Sequence, residues 1–186
     1  MKLSPKEILK PALALLLICV AATALLALTN SVTAARIAET ERENAIAARR
    51  TVMPDAAEFG EEQTYDTLTY CNALDADGNT VGRVFTAAAK GYGGTVSVMI
   101  GIDADGKITG IEILSHSETP GLGANSTKPA FKNRFVGKSG TLTVSKTSND
   151  GENVQAITAA TITSKAVTSA VNAALAADRA IEGGAS

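Results

Sequence analysis

Thr158-Ala159-Ala160-Thr161-Ile162-Thr163-Ser164 is the stretch of this chain whose residue types and spacing are best suited to chemistry. Two threonines stand three residues apart around a pair of alanines, and an amphipathic helical pattern begins immediately afterwards. Small side chains ahead of a helix let the backbone approach a bulky anion. The free N–H groups of the first turn then point at that anion, and the helix dipole favours negative charge there. A hydroxyl held at this point can serve as an N-cap, a phosphate contact, or the attachment point of a phosphate ester. Taken alone, the stretch reads first as a plain helix cap, the commonest use of Ser and Thr before an apolar run. Lys165, one turn beyond Thr161, either offsets phosphate charge or sits solvated on the helix surface.

A second candidate is Glu118-Thr119-Pro120-Gly121-Leu122-Gly123. Pro120 stiffens a turn, and the two glycines allow backbone to approach a flat ligand closely. Leu122 then offers an apolar surface to the ligand's face. By itself the hexapeptide reads as an ordinary surface turn. Other chemistries find little support. His116 is the sole histidine and has no Cys or carboxylate cluster around it in sequence, so no metal site is expected. Asp75-Ala76-Asp77-Gly78-Asn79 and Asp103-Ala104-Asp105-Gly106-Lys107 invite a calcium-loop reading. Their glycines fall at the fourth position rather than the sixth, and their flanks are strand-like, so both are read as hairpin turns. No nucleophile triad, Walker loop or dinucleotide fingerprint is found, and no catalytic residue is assigned.

Taken together, the motifs resemble a known family. Thr158-Ala159-Ala160-Thr161 looks like the flavinylation motif of FMN-binding domains, Glu118 to Gly123 matches that family's other hallmark, and Gly91-Tyr92-Gly93-Gly94 precedes it at a similar position. With one N-terminal apolar segment, the chain resembles the G subunits of Rnf electron-transport complexes over nearly its whole length. Ala159 replaces the common glycine, and Gln155 stands where many members carry aspartate. The resemblance implies FMN joined through its phosphate to the Thr161 hydroxyl, with Thr158 assisting as cap or phosphate contact. It also implies cofactor contacts from Ala159, Ala160, Glu118, Thr119, Gly121, Leu122, Gly123 and Lys165. Attachment is then the work of a separate Mg²⁺-dependent flavin transferase that uses FAD and releases AMP. The other Rnf-type membrane subunits are the implied partners. Such a subunit relays electrons within a ferredoxin:NAD⁺ oxidoreductase coupled to Na⁺ or H⁺ translocation. A tethered flavin also suits a chain with 4% aromatic residues and no tryptophan. A stand-alone extracytoplasmic flavin carrier and a redox-inert anchored binding module are the alternatives.

The elements that must position these residues begin with a membrane segment. Ala12 to Leu28 carry no charge, and about 17 helical residues at 1.5 Å each reach roughly 26 Å, the short end of a membrane span. Pro11 suits the first turn of that helix. Lys2, Lys6 and Lys10 precede the segment, whereas Arg36 is the first basic residue after it, so the N-terminus is expected in the cytoplasm and the remainder outside. Val32-Thr33-Ala34 leaves a cleaved signal peptide as the competing reading. Beyond residue 10 the chain holds 14 basic and 18 acidic residues, a balance that argues against nucleic acid as a partner. Cys19 and Cys71 fall in separate regions and are not expected to pair.

Ser31 to Arg50 reads as a charged helical stem ended at Met53-Pro54. Strand patterning starts near Thr67. Val96, Val98, Ile100 and Ile102 alternate as a half-buried strand with Ile108–Leu114 as its partner, and Leu142 and Val144 suggest a later strand. The connection from Ser115 to Gly140 has no predicted shape. After Thr161 a final helix carries Val167, Val171, Ala174 and Leu175. The expected fold is α+β: one transmembrane helix, then an extracytoplasmic FMN-binding domain with an antiparallel sheet and flanking helices. The expected boundaries are 1–10 cytoplasmic, 11–29 transmembrane, 30–54 stem, 55–182 FMN-binding domain and 183–186 a frayed tail.

Overall fold

The computed structural model describes residues 5–184, so Lys2 and the last two residues of the expected tail lie outside the described residues. The chain divides into two units, Met1–Glu43 and Asn44–Ser186. The first unit contains most of a single helix, α1, which spans Pro5–Val52. No break marks the expected boundary between span and stem. Pro5, rather than Pro11, takes the first helical position, where a missing N–H costs nothing, and Pro11 lies inside the helix. Leu13, Leu16, Ile18 and Leu25 are all exposed, and α1 contains a stretch long and apolar enough to cross a membrane. The Thr23 and Thr29 hydroxyls donate to the carbonyls of Cys19 and Leu25. Their polar groups are thereby satisfied without water, as a hydrocarbon setting requires.

The second unit is built on an antiparallel sheet of β1 (Glu58–Phe59), β2 (Gln63–Tyr65), β3 (Leu68–Leu74), β4 (Thr80–Lys90), β5 (Thr95–Asp103) and β6 (Ile108–Ser115). The order is β1-β3-β4-β5-β6, with β2 also pairing β3. The two aspartate-rich repeats are the expected hairpin turns. Asp75 Oδ1 accepts from the backbone N–H groups of Asp77 and Asn79, and Asp103 Oδ1 from those of Asp105 and Lys107. Gly78 and Gly106 supply the left-handed turn residue at φ +82° and +75°.

Strand β5 is buried on both faces rather than one. Val96, Val98, Ile100 and Ile102 join the larger core, while Met99 packs on the other side with Val52, Met53, Cys71 and Val84. A Cβ on Gly101 would overlap the Val52 carbonyl, and one on Gly110 would crowd the Val52 backbone, so these glycines admit the end of α1 onto the sheet. The Thr109 hydroxyl donates to that same carbonyl.

Beyond β6 the chain is folded where sequence predicted no shape. A 3₁₀ turn (Gly123–Thr127) leads into α2 (Pro129–Lys132). Phe131 and Phe135 pack edge to face at 5.3 Å and are fully buried, which anchors the connection in the core. β7 (Thr143–Ser145) exists as expected but pairs in parallel with β8 (Asn153–Gln155), apart from the main sheet. The last helix, α3 (Thr161–Gly184), buries Val167, Val171, Ala174 and Leu175 over the sheet and continues through residues expected to fray. Near its far end Asp178, almost fully buried, accepts from Arg83 Nη1 at 2.7 Å. Burial pushes the Asp178 carboxyl up, and Arg83 opposes that rise.

Candidate functional site

Between β8 and α3 the chain turns through Ala156–Ala160, and the turn is held from both sides. The Ala160 N–H donates to the Ile157 carbonyl at 3.0 Å. Ser164 Oγ, fully buried, accepts from the Ile157 N–H at 2.9 Å and donates to the Ala160 carbonyl at 3.0 Å. On the opposite side Arg134 Nη1 donates to the carbonyls of Gln155 and Ala156, and its Nε donates to Ala130. Its guanidinium lies 5.6 Å from the Phe131 ring centre. Ala159 has φ +60°. Alanine therefore stands in the left-handed conformation that glycine adopts freely, at a cost of about 1–2 kcal/mol.

This turn forms one wall of a cleft of about 450 Å³. Ala159, Ala160 and Thr161 face Tyr92, Glu118, Thr119, Leu122 and Gly123 across it, with Ile162 and Thr163 completing the lining. The Thr161 hydroxyl takes no partner among the described residues, and neither do the backbone N–H groups of Thr161, Ile162 and Thr163. A hydroxyl and three backbone donors thus stand free at the start of α3. Three large apolar side chains are exposed at the cleft: Tyr92, Leu122 and Ile162.

Glu118 organises the opposite wall. Its carboxylate accepts from the backbone N–H groups of Tyr92 (2.8 Å) and Gly93 (3.1 Å) and from Thr163 Oγ1 (2.6 Å). Burial by itself would raise this carboxyl. Thr163, the two backbone N–H groups and nearby His116 outweigh it and hold the group below the usual range. A Cβ at Gly91 would overlap Glu118 Oε1, and one at Gly123 would overlap both Glu118 Oε2 and Thr163 Oγ1. The close approach expected of Gly123 is therefore first of all an approach to Glu118. Gly121, at φ +79° with open space around it, is a turn glycine.

The structure brings seven of the ten sequence-assigned residues into the cleft: Thr161, Ala159, Ala160, Glu118, Thr119, Leu122 and Gly123. Thr158 and Gly121 open instead onto a neighbouring groove of about 510 Å³, which Lys128, Arg134 and Gln155 also line. Thr158 is exposed, makes no cap and stands outside α3. Lys165 is exposed and lines neither cavity. Sequence reasoning had not assigned Tyr92, Ile162, Thr163, Ser164 or Arg134. Thr163 carried a signal, since it falls four residues before Val167 on the buried face of α3. Arg134 carried none, because its contacts join two loops more than twenty residues apart. His116 is a loop residue whose Nδ1 accepts from the Glu118 N–H. Cys71 is a buried apolar residue whose thiol is pushed up by burial.

Comparison with known proteins bears on what such a cleft holds. The FMN-binding domain family matches residues 91–176, which include both walls, and the RnfG N-terminal region matches residues 1–52. The G subunit of the Na⁺-translocating ferredoxin:NAD⁺ oxidoreductase complex of Acetobacterium woodii is 40% identical, covering 90% of this chain and 89% of that one. The chain belongs to the RnfG family. The G subunit of the ion-translocating oxidoreductase complex of Methanosarcina acetivorans is 38% identical, with 91% and 94% covered. NqrC of Shewanella oneidensis shares the fold of this RnfG-family chain, with a TM-score of 0.50 at 20% identity over 64% of this chain and 65% of that one. The cleft suits FMN: its volume lies within the ~300–1,000 Å³ of small-ligand sites, its exposed apolar side chains suit a flat ring, and the free N–H groups of α3 suit a phosphate.

Proposed function

We propose that this RnfG-family protein carries FMN esterified through its phosphate to Thr161, and that the flavin relays electrons within an Rnf-type complex coupled to Na⁺ or H⁺ translocation. The observation that carries the assignment is the unpartnered Thr161 hydroxyl beside the three free N–H groups at the start of α3, on the wall of an FMN-sized cleft. In the attachment, the Thr161 oxygen bonds to the flavin-bearing phosphorus of FAD, the pyrophosphate bond breaks, and AMP leaves. The hydroxyl proton passes to the flavin transferase. The first turn of α3 would then hold the remaining phosphate charge, and Leu122, Ile162 and Tyr92 would border the ring. When bound, the flavin supplies the redox chemistry, and the protein supplies position and electrostatics.

The expected partners are the other Rnf-type membrane subunits and the flavin transferase. Relatives are named for Na⁺ translocation in Acetobacterium woodii and for proton translocation in Clostridium ljungdahlii, so both coupling ions stay within the reading. Lys6 and Lys10 before the apolar segment support a cytoplasmic N-terminus and an extracytoplasmic FMN-binding domain. Two measurements test the proposal. Peptide mass spectrometry of chain co-expressed with the transferase should find one FMN on the fragment containing Thr161; an FMN on Thr158 or Thr163 overturns the site. In a Cys71→Ala chain, Ser139→Cys should react with a membrane-impermeant thiol reagent in intact cells, and labelling only after lysis overturns the orientation.

A further inference from the structure

Attachment at Thr161 leaves one charge at the cleft without a part to play. Glu118 is 6% exposed, and both of its oxygens face donors. Oε1 receives the N–H groups of Tyr92 and Gly93, and Oε2 receives the Thr163 hydroxyl at 2.6 Å. A protonated carboxyl would need an acceptor for its own O–H. The two backbone N–H groups at Oε1 cannot accept, and at Oε2 the Thr163 hydroxyl could do so only by giving up the bond it now donates. The geometry therefore selects the carboxylate. No lysine or arginine lies in ion-pair range of it among the described residues. The charge is met by the Thr163 and backbone dipoles, with nearby His116 as the one titratable neighbour that favours it, and beside protein a field reaches further than in water.

Resting on the reading that a flavin occupies this cleft, we infer that Glu118 sets its reduction potential, holding it lower than a neutral wall would. Two electrons and one proton delivered to a ring in the cleft leave one net negative charge there. The Glu118 carboxylate opposes that charge, so the oxidised form is favoured. The Thr163 hydroxyl moderates the effect by turning its positive end towards the carboxylate. The site thus contains a charge and a trim on that charge, supplied by two side chains on different walls. Gly91 and Gly123 are the spaces that let the carboxylate stand there.

The experiment is a redox titration of full-length chain in detergent, followed by flavin absorbance. Dithionite supplies the electrons, water supplies the proton, and intact mass establishes that each sample carries FMN. Glu118→Gln keeps the shape and removes the charge. It should raise the midpoint so that the reduced-to-oxidised ratio at a fixed potential grows tenfold or more, which is about 30 mV for a two-electron couple. Thr163→Val keeps the charge and removes the trim, so it should move the midpoint the opposite way. An unmoved midpoint in loaded Glu118→Gln, or a fall, overturns the inference. Should that variant lose its flavin or its fold, Thr163→Val decides alone: a lower midpoint supports the inference, and an unmoved or higher one overturns it. Wild-type chain that takes no FMN overturns the proposed function and this inference with it, whereas loaded chains with unmoved midpoints overturn this inference alone.

Discussion

On one side of Leu122 and Ala159 lies the cleft that Thr161 lines; on the other lies the groove that Thr158 lines. The two threonines are three residues apart, yet their surroundings have little in common. Thr161 opens α3 beside free N–H groups and faces a wall fastened by the Glu118–Thr163 bond. Thr158 sits exposed before the helix, beside a groove bordered by Lys128 and Arg134. Both hydroxyls are chemically equal in the unfolded chain. The fold distinguishes them, by giving only one a set of free helix N–H groups and an apolar cleft.

The largest expected effect breaks this contrast at its centre. Thr161→Ala should abolish the covalent, UV-fluorescent band on a denaturing gel, while Thr158→Ala should keep it; the reverse result would exchange the roles of the two cavities. Next in size is a pair of glycine variants. Gly123→Val drives a side chain into Glu118 and Thr163 and should cost the apo-protein about 1–3 kcal/mol in denaturant unfolding. Gly121→Ala meets open space and should cost only the strain of its positive φ, about 1 kcal/mol. Equal losses would show that the cleft wall is no tighter than the groove wall.

Acid should loosen the cleft side as well. The Glu118 carboxyl is held below its ordinary 4.5, so its stabilisation is fully present above that value and is lost as pH falls through the depressed one. The stability advantage of wild type over Glu118→Gln should therefore be constant from neutral pH down to about 4.5 and shrink below it. A gap that widens in acid would reverse the sign. Smallest is Ala159→Gly, which relieves the φ +60° strain in the shared wall and should stabilise the apo-protein by about 1 kcal/mol. Unchanged or lower stability would mean that alanine's stiffer unfolded chain offsets the strain.

These comparisons also measure what the residues disclosed before folding. The β5–β6 hairpin, the aspartate turns and α3 were legible because alternation, turn chemistry and helical spacing are local signals. The burial of both faces of β5 was not, since the helix end that covers its second face comes some forty residues earlier. The hexapeptide from Glu118 to Gly123 was recognised, but not what it does. Its glycines suggested a flat ligand, whereas the nearest constraint on Gly123 is a carboxylate from the same hexapeptide and Gly121 serves the turn. Arg134 and Ser164 escaped notice because bracing a loop leaves no pattern in the bracing residue's own neighbourhood.

α3 is fastened near both ends, by Thr163 to Glu118 and by Asp178 to Arg83. The fifteen residue steps from one fastener to the other act as a gauge rod of about 22 Å. They meter where along the sheet the Thr161 hydroxyl comes to rest. Lengthening the rod by one residue would turn one fastener about 100° from the other, so both could not close at once. Change in this helix is therefore confined to substitution, because its length is already spoken for.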